Sequence, residues 1–424
     1  MKPLDTNADP RVVGPFELLA RLGAGGMGVA YLAREIPLDG LSDVMVAAYR
    51  LVEPDHDHGR GEAADPSRLV VVKMIQPNLL DQSQARERFA REIDAVRAVV
   101  SDRVPALRAA DPEAGEPWFA MDYIAGPSLQ TMVTESGPLP VGPCAALGLA
   151  LVDALAAIHG TRLLHRDLKP SNVVLGPDGP VVLDFGLAVV VERQSSQALT
   201  RTGDRLGTRP YMPVEQLRDS KHVGAPADVY ALGATLFFAL TGRAPYPYMP
   251  LMVPPMWEGV DPAFLPLLGR VIDAEPLRRP DLAGLREGLS ALLTDAGLTL
   301  EQAAAQLRER VAAVGLTPVL PPEALVGRAD PVVRELAQKA VDEGEAPDAP
   351  WAEGDPGFYG IVTAEEIEWA GGWADSHSGH PLTLLEDGTA PTIPLPASEY
   401  RSNAGPAVGH PFLPSPTGKA PTAR

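Results

Sequence analysis

Apolar and polar positions alternate along the first part of the chain. Residues 16–22 follow this pattern into a glycine cluster, and residues 29–32 resume it on the other side. The pattern predicts two strands joined by a tight glycine turn. Residues 36–68 interrupt it with proline, glycine, aspartate and histidine, which indicates an insertion, and the strongly apolar residues 69–75 predict a third strand.

Helical spacing dominates the sequence after the third strand. Phe89, Ile93, Val96 and Val100 recur on one face of a helix predicted within residues 81–100. Further elements are predicted as a strand at 118–124, a buried helix at 143–159 and short strands at 173–175 and 181–183, with mainly helix from there to about residue 293. A strand-rich first part followed by a helix-rich second part is typical of an α+β fold with two lobes.

Two helices are predicted beyond residue 293. Thr299 and Gln302 form a capping-box pattern that begins a helix ending near Val314. Asp330 as cap and Pro331 in the first turn predict the second helix.

The C-terminal region changes composition at residue 345. Residues 345–424 are acidic and rich in proline and glycine, which predicts a disordered or loosely docked tail. Trp351, Trp369 and Trp373 lie within it, and tryptophans have little use in a wholly solvated segment. Partial docking or binding of a partner therefore stays open beside an unstructured linker.

The overall charge argues against two classes of partner. The net charge is −19, with 36 basic against 55 acidic residues, so binding to nucleic acid or to an anionic membrane surface is not expected. The longest apolar run, Cys144 to Ile158, is shorter than the ~20 residues that span a bilayer, and the first residues, Met1 to Asp5, lack the basic and apolar pattern of a signal peptide. Cys144 is the single cysteine, which excludes intrachain disulfides. We expect a soluble, cytoplasmic protein without membrane insertion.

The glycine cluster is the first candidate for chemistry. Residues 23–28 read Gly-Ala-Gly-Gly-Met-Gly, and a backbone without Cβ atoms lets phosphate groups approach closely. The cluster joins two strands instead of beginning a helix, which favours a hairpin that covers a nucleotide over a dinucleotide-binding fold. An ordinary glycine turn is the alternative if the cluster is taken alone.

Lys73 lies in the middle of the third predicted strand, where an unpaired cation would be costly. Glu92 on the following helix is the natural counter-ion, and nucleotide phosphates are the natural second partner. A surface salt bridge is the alternative interpretation of Glu92.

The strongest signal is residues 165–172, His-Arg-Asp-Leu-Lys-Pro-Ser-Asn, followed by Asp-Phe-Gly at 184–186. Two carboxylates and a carboxamide at this spacing supply what phosphoryl transfer requires. Asp167 would accept the proton of a hydroxyl, while Asn172 and Asp184 would hold Mg²⁺, with Mn²⁺ as the alternative ion. These motifs resemble the catalytic loop and metal-binding triplet of bacterial eukaryotic-like (Hanks-type) serine/threonine protein kinases.

The resemblance covers roughly residues 14–293 and implies a bilobal kinase fold. It implies a small lobe at 14–123 containing the insertion, and a large lobe at 124–293. A flexible lead (1–13), a helical extension (294–344) and the tail (345–424) complete the predicted organisation. Lys169 indicates the serine/threonine class, with its ammonium near the transferred phosphoryl group.

By the same resemblance, ATP lies between the lobes with the hinge at Asp122 to Ile124. The implied ATP-binding residues are Leu22, Gly23, Gly25, Gly28, Ala30, Val71, Lys73, Glu92, Met121, Asp122, Ile124, Val174 and Asp184. Ala30 and Val71 exchange the volumes that the family usually places at these positions. If both cap the same face of adenine, the exchange conserves volume.

Further positions resemble the supporting and regulatory residues of the family. These are Arg166, Thr208, Glu215, Asp228 and Arg279, with Glu215 and Arg279 expected to pair. The triplet Pro213-Val214-Glu215 keeps the carboxylate of the family's Ala-Pro-Glu but moves its proline. Thr200 and Thr202 are the expected autophosphorylation sites, with Ser195 and Ser196 as lesser candidates, and their phosphates would pair with Arg166.

The sequence therefore predicts ATP- and Mg²⁺-dependent phosphorylation of protein serine and threonine hydroxyls in cytoplasmic signalling. A pseudokinase, or a scaffold that acts through its tail, is the alternative, and a metabolite kinase is a further one. Partners would be protein substrates, together with a dimer mate or a tail-binding protein. His56 and His58 in the insertion are interpreted as a solvated loop because no further ligands accompany them.

Overall fold

The structure is a computed structural model of the chain. It describes residues 1–25, 28–36, 69–80, 83–185, 209–219, 222–246 and 254–325, and in addition 332–333, 335–336 and 339. The predicted insertion beyond Ile36, the predicted cap residues Asp330 and Pro331, and the predicted tail lie outside the described residues.

Among the described residues, the small lobe is a six-stranded antiparallel sheet with one α-helix. The strands are β1 (Val12–Val13), β2 (Phe16–Gly25), β3 (Gly28–Glu35), β4 (Leu69–Ile75), β5 (Leu107–Asp111) and β6 (Trp118–Asp122), and the helix is α1 (Ser83–Arg97). Their spatial order is β1-β2-β3-β4-β6-β5. The glycine-turned hairpin and the third strand predicted from the sequence are confirmed.

Alternation along the strands gives this sheet two different faces. Phe16 and Trp118 lie on one face, with ring centroids 5.9 Å apart at an interplanar angle of 83°. Phe119 lies on the other face and packs against Phe89 of α1, with centroids 6.3 Å apart. Lys73 belongs to this second face, which we call the cleft face.

Two sequence predictions in the small lobe are wrong. Val100 is 90% exposed because α1 ends at Arg97, and Val99 takes the buried position instead. Residues 1–13 were expected to be a flexible lead, but they add to the sheet. Lys2 exchanges two backbone hydrogen bonds of 2.9 Å with Arg21, and β1 pairs with the start of β2.

The large lobe is mainly helical. Its elements are α2 (Leu129–Ser136), α3 (Val141–Gly160), β7 (Val173–Gly176), β8 (Gly179–Val182), α4 (Val214–Arg218), α5 (Ala225–Thr241), α6 (Leu265–Val271) and α7 (Leu282–Asp295). Short 3₁₀ turns cover Pro170–Asn172, Arg209–Tyr211 and Pro276–Arg278.

The centre of the large lobe is α3, which is longer than the helix predicted at 143–159. A Cβ at Gly148 would lie 2.9 Å from Leu289 of α7 and 3.1 Å from Leu236 of α5, so the three helices approach closely there. By length and composition α3 could cross a membrane, and 78% of its most apolar window is buried inside the protein. Its apolar character is therefore accounted for by core packing.

The predicted capping box begins α8 (Leu300–Val314) as expected. The Thr299 hydroxyl accepts from the Gln302 amide at 3.2 Å, and the Gln302 side chain accepts from the Thr299 amide at 2.9 Å. Ala303 and Leu307 of this helix are buried in the large-lobe core. Arg310 donates to the carbonyl oxygens of residues 136–138 at 2.6 to 3.0 Å, which satisfies the C-terminus of α2.

Candidate active site

The predicted catalytic loop connects α3 to β7 and folds around Asp167. Asn172 Nδ2 donates to the Asp167 carbonyl at 2.8 Å and to its Oδ2 at 3.2 Å. Lys169 Nζ lies 3.4 Å from the same Oδ2. These contacts fix the orientation of the Asp167 carboxylate and leave its other oxygen, Oδ1, without a hydrogen-bond partner among the described residues.

Asp228 supports the loop from α5. Its carboxylate accepts from the backbone amides of His165 at 2.9 Å and Arg166 at 2.8 Å. His159 at the end of α3 contacts the same carboxylate at 2.7 Å. Burial alone would raise the pKa of Asp228, but the hydrogen bonds from His159 and from the Arg166 backbone hold it below its usual value.

The Asp228 contact explains an unusual backbone conformation. Arg166 has φ of 67°, in the left-handed region that non-glycine residues rarely adopt. Gln216 of α4 donates to the Arg166 carbonyl at 2.5 Å, so both backbone groups of this residue are held. Strain of this kind persists where surrounding contacts fix it, often at functional sites.

Glu215 and Arg279 pair as the sequence predicted. Arg279 donates to both carboxylate oxygens of Glu215, at 2.5 and 3.1 Å, and its guanidinium lies 4.9 Å from the ring centroid of Tyr230. The Arg279 side chain has no exposed surface. Pro213, the shifted proline, caps α4 and leaves Glu215 in its first turn.

Lys73 of β4 forms an ion pair with Asp184 of the large lobe. Burial alone would raise the pKa of Asp184, but the Lys73 ammonium beside it lowers the pKa below its usual value. Asp184 has φ of 60°, a second left-handed non-glycine residue of the site. The sequence suggested Glu92 as the counter-ion of Lys73; in this conformation Lys73 pairs with Asp184, while Glu92 lies partly buried on α1.

The glycine hairpin shows which of its glycines the fold itself requires. Gly28 has φ of 151°, and a Cβ there would lie 1.8 Å from the Met74 carbonyl oxygen. A Cβ at Gly23 would meet nothing within 4 Å. Gly28 is therefore needed for the approach of β3 to β4, whereas space is open beside Gly23, where a ligand could lie.

The predicted adenine pocket lies on the cleft face and at the hinge. Ala30 on β3 lies opposite Lys73 on β4, and Val71 is two residues before Lys73 on the same strand. Ala30 and Val71 therefore lie on the same face of neighbouring strands. This is the arrangement that a volume-conserving exchange requires.

The remaining pocket predictions fall beside the hinge. The Asp122 carboxylate accepts hydrogen bonds from Arg108 and from the Ala106 amide, the latter at 3.2 Å. These contacts fix β6 at its hinge end. A Cβ on Gly176 would come within 2.8 Å of Ile124, so Ile124 packs directly on β7, the strand that carries Val174.

The oxygen atoms of the site fit a divalent metal bound together with phosphate. Asn172 Oδ1 is buried and has no hydrogen-bond partner among the described residues, and the Asp184 carboxylate follows β8 nearby, where the Leu183 amide donates to the Asn172 carbonyl at 2.8 Å. No cluster of three or more His, Cys, Asp or Glu side chains occurs in the described ranges. Mg²⁺ commonly uses one or two protein oxygens and takes its other ligands from water and nucleotide phosphates.

Several predicted residues lie outside the part of the chain that the structure describes. They are Gly186, Ser195, Ser196, Thr200, Thr202, Thr208, His56 and His58. Sequence reasoning missed His159 and Gln216, which hold the loop through Asp228 and Arg166. The position of His159 at the end of an apolar helix was visible, but its partner lies on another helix distant in sequence.

Comparison with known proteins agrees with the motifs. Residues 60–252 match the family described as protein kinase domain, a range that contains Lys73, the catalytic loop and Glu215. Serine/threonine-protein kinase AfsK of Streptomyces coelicolor is 38% identical over 69% of this chain and 34% of its own length. AfsK of Streptomyces griseus is 42% identical over 57% of this chain and 26% of its own length.

The chain thus spans about a third or less of the length of these two relatives. Among solved structures, the kinase domain of Mycobacterium tuberculosis PknI is 23% identical over 69% of this chain and all of that one, with a TM-score of 0.48. The sequence matches and the motifs show that this chain contains a protein kinase domain of the bacterial eukaryotic-like serine/threonine type.

Proposed function

We propose that this chain transfers the γ-phosphoryl group of ATP to serine and threonine hydroxyls of proteins, with Mg²⁺ or Mn²⁺ as the metal. The observation that carries the proposal is the bonded cluster of Asp167, Lys169 and Asn172 beside the ion pair of Lys73 and Asp184. These five side chains supply the proton acceptor, the metal ligands and the cations that phosphoryl transfer requires.

Asp167 is the group that receives the hydroxyl of the substrate. Its Oδ2 is held by Asn172 and lies close to Lys169, so Oδ1 is the oxygen left to accept a hydrogen bond from a serine or threonine hydroxyl. The carboxylate orients the hydroxyl toward the phosphoryl group and takes up its proton at Oδ1.

The cations and oxygen ligands of the cluster bind the phosphates. Bound Mg²⁺ or Mn²⁺ would supply positive charge that neutralises the phosphates. Asn172 Oδ1 and the Asp184 carboxylate would hold it, and Lys73 would bind phosphate oxygens from the small-lobe side. Lys169 lies beside the acceptor carboxylate, where its ammonium stabilises the negative charge on the transferred group.

Regulation would involve Arg166 and the segment between Asp184 and Glu215. A phosphate on Thr200 or Thr202 adds about −1.5 to −2 charge, which an arginine binds well. Full activity of a Thr200→Ala/Thr202→Ala double variant, with no phosphate in the segment, would contradict this part of the proposal.

Cytoplasmic signalling, a dimer and a partner that binds the tail are parts of the same proposal that rest on the sequence alone. A pseudokinase or a tail-dependent scaffold is the second candidate, favoured only by the tryptophans of the tail. An active kinase is favoured over both because the four residues expected for phosphoryl transfer are all present: Lys73, Asp167, Asn172 and Asp184.

The identity of the phosphorylated residue tests the proposal. The full chain is incubated with Mg²⁺ and γ-labelled ATP beside an Asp167→Asn variant, and the products are mapped by mass spectrometry. Phosphoserine or phosphothreonine formed by the wild type alone is expected. Nucleotide binding without any phosphorylated protein would contradict the proposal and favour the scaffold.

A further inference from the structure

The chain returns to the small lobe after α8. Residues 315–325, which we call the C-terminal strap, begin at Gly315, whose φ of 66° ends the helix in the left-handed conformation. At its start the strap is attached to the large lobe, because Ala303, Leu307 and Arg310 fix α8 there. Its far end forms a short 3₁₀ turn at Pro322–Leu325.

The far end of the strap is packed into the small-lobe sheet. Ala324 is only 4% exposed and shares a buried cluster with Leu19, Ala20, Leu32 and Leu69. The Glu323 carbonyl accepts from Arg34 Nη1 at 3.3 Å. Arg34 is itself buried and paired with Glu17, its cross-strand neighbour, so the donor is held in place from β2.

The strap occupies the same face of the sheet as the predicted adenine pocket. Leu32 is two residues from Ala30 on β3, and Leu69 is two residues from Val71 on β4. Because side chains two residues apart on a strand share a face, the strap and the pocket lie side by side on the cleft face.

Two residues connect the strap to the nucleotide site. Leu22, at the entry to the glycine hairpin, and Tyr123, in the hinge, are partly buried against the cluster that contains Ala324. Burial raises the pKa of Tyr123 to about 12, and its hydroxyl has no hydrogen-bond partner among the described residues. Leu320 of the strap packs against the same cluster.

We propose that the C-terminal strap joins the two lobes across the hinge and positions the adenine pocket through Leu22 and Tyr123. A chain segment fixed to the large lobe at one end and to the small lobe at the other limits how far the lobes can separate. Undocking the strap would then increase hinge mobility and weaken ATP binding, without removing any group that touches the phosphates. The nucleotide part of this inference rests on the proposed function.

The strap offers a matched pair of positions for a test. Ala324 is buried, whereas Val319 in the same segment is 89% exposed. Ala324→Glu introduces a charge into an apolar contact and should release the strap, and Val319→Glu introduces the same charge in solvent. Ala324→Ser keeps the small volume and should stay docked.

The experiment uses the full chain and these three variants. Hydrogen exchange of the nucleotide-free protein at residues 19–22, 69–75 and 122–124 measures whether the strap is docked. The Kd for MgATP and kcat measure whether the nucleotide site is altered. For Ala324→Glu we expect faster exchange in these segments and a Kd for ATP raised at least about fivefold, with kcat at saturating ATP retained. Val319→Glu and Ala324→Ser should match the wild type.

Three results would overturn the proposal. The first is an Ala324→Glu variant that matches Val319→Glu in both exchange and ATP affinity. The second is faster exchange with unchanged ATP affinity, which would leave the strap as a stabilising contact without a positioning role. The third is a wild type that binds no nucleotide: the positioning role would fall with the proposed function, and the exchange data would still decide whether the strap is docked.

Discussion

The ammonium of Lys73 is bonded to the carboxylate of Asp184, and this ion pair links the small-lobe sheet to the large lobe. Their side chains are 24% and 22% exposed, so the pair is accessible enough to exchange partners with a ligand and buried enough to need one. Burial alone would favour the neutral form of Asp184, so its negative charge depends on the neighbouring Lys73 ammonium.

Replacing Lys73 by methionine should abolish most phosphoryl transfer. The variant loses a phosphate ligand and leaves Asp184 buried without its cation, so the pKa of Asp184 should rise toward its usual range. We expect a rate at least about 100-fold lower, measured as initial phosphate transfer at saturating ATP. Lys2→Met, at an exposed position, is the control; a Lys73→Met rate close to that of this control would contradict the assignment.

Gly23 and Gly28 of the hairpin should respond differently to replacement by alanine. Gly28→Ala should lower the free energy of unfolding by about 2 kcal/mol or more, because its Cβ would collide with the Met74 carbonyl at a positive φ. Gly23→Ala should change stability by less than about 0.5 kcal/mol and should lower ATP affinity instead. Urea unfolding and nucleotide titration measure the two effects, and equal stability of the two variants would contradict the geometry.

Asn172 should set the metal requirement of the reaction. Asn172→Ala removes the open Oδ1, and we expect the Mg²⁺ concentration for half-maximal rate to rise about tenfold or more. Asn172→Asp keeps an oxygen at this position and should show a smaller shift. An unchanged Mg²⁺ midpoint in Asn172→Ala would exclude this side chain as a metal ligand.

Asp228 should make stability depend on pH in the acidic range. Its pKa is lowered from 3.8 in the folded protein, so its stabilising contribution is fully present above that value. The contribution is lost as the pH falls through the still lower pKa of the folded state.

Asp228→Asn should therefore cost about 3 kcal/mol near neutral pH. The difference from the wild type should shrink in acid. Urea unfolding of the variant and the wild type, near neutral pH and in acid, measures this. A difference in free energy of unfolding that stays constant or grows in acid would contradict the lowered pKa of Asp228.

Much of the fold could be predicted from local patterns. The strands of the hairpin, the capping box of Thr299 and the catalytic loop each depend on residues close in sequence, and each was found where its pattern indicated. The bounds of α3 and the exposure of Val100 were missed because the exact helix end is set by packing and not by periodicity.

The contacts that could not be predicted join distant segments. His159 bonds Asp228, Gln216 bonds Arg166, and Ala324 packs on Leu69, and in no case does the local sequence reveal the partner. The role of residues 1–13 was misjudged for the same reason, since a two-residue strand carries almost no pattern of its own. The pairing of Lys73 with Asp184 instead of Glu92 also belongs here, because it depends on how the two lobes meet.

The most direct test of the account separates ATP binding from phosphate transfer in Asp167→Asn. Asparagine keeps the shape of the side chain and loses the proton acceptor. The variant should bind MgATP with the affinity of the wild type, while its rate of transfer to protein serine or threonine should fall at least about 1000-fold. Equal rates for the two proteins, or no transfer by a wild type that binds MgATP, would contradict the account.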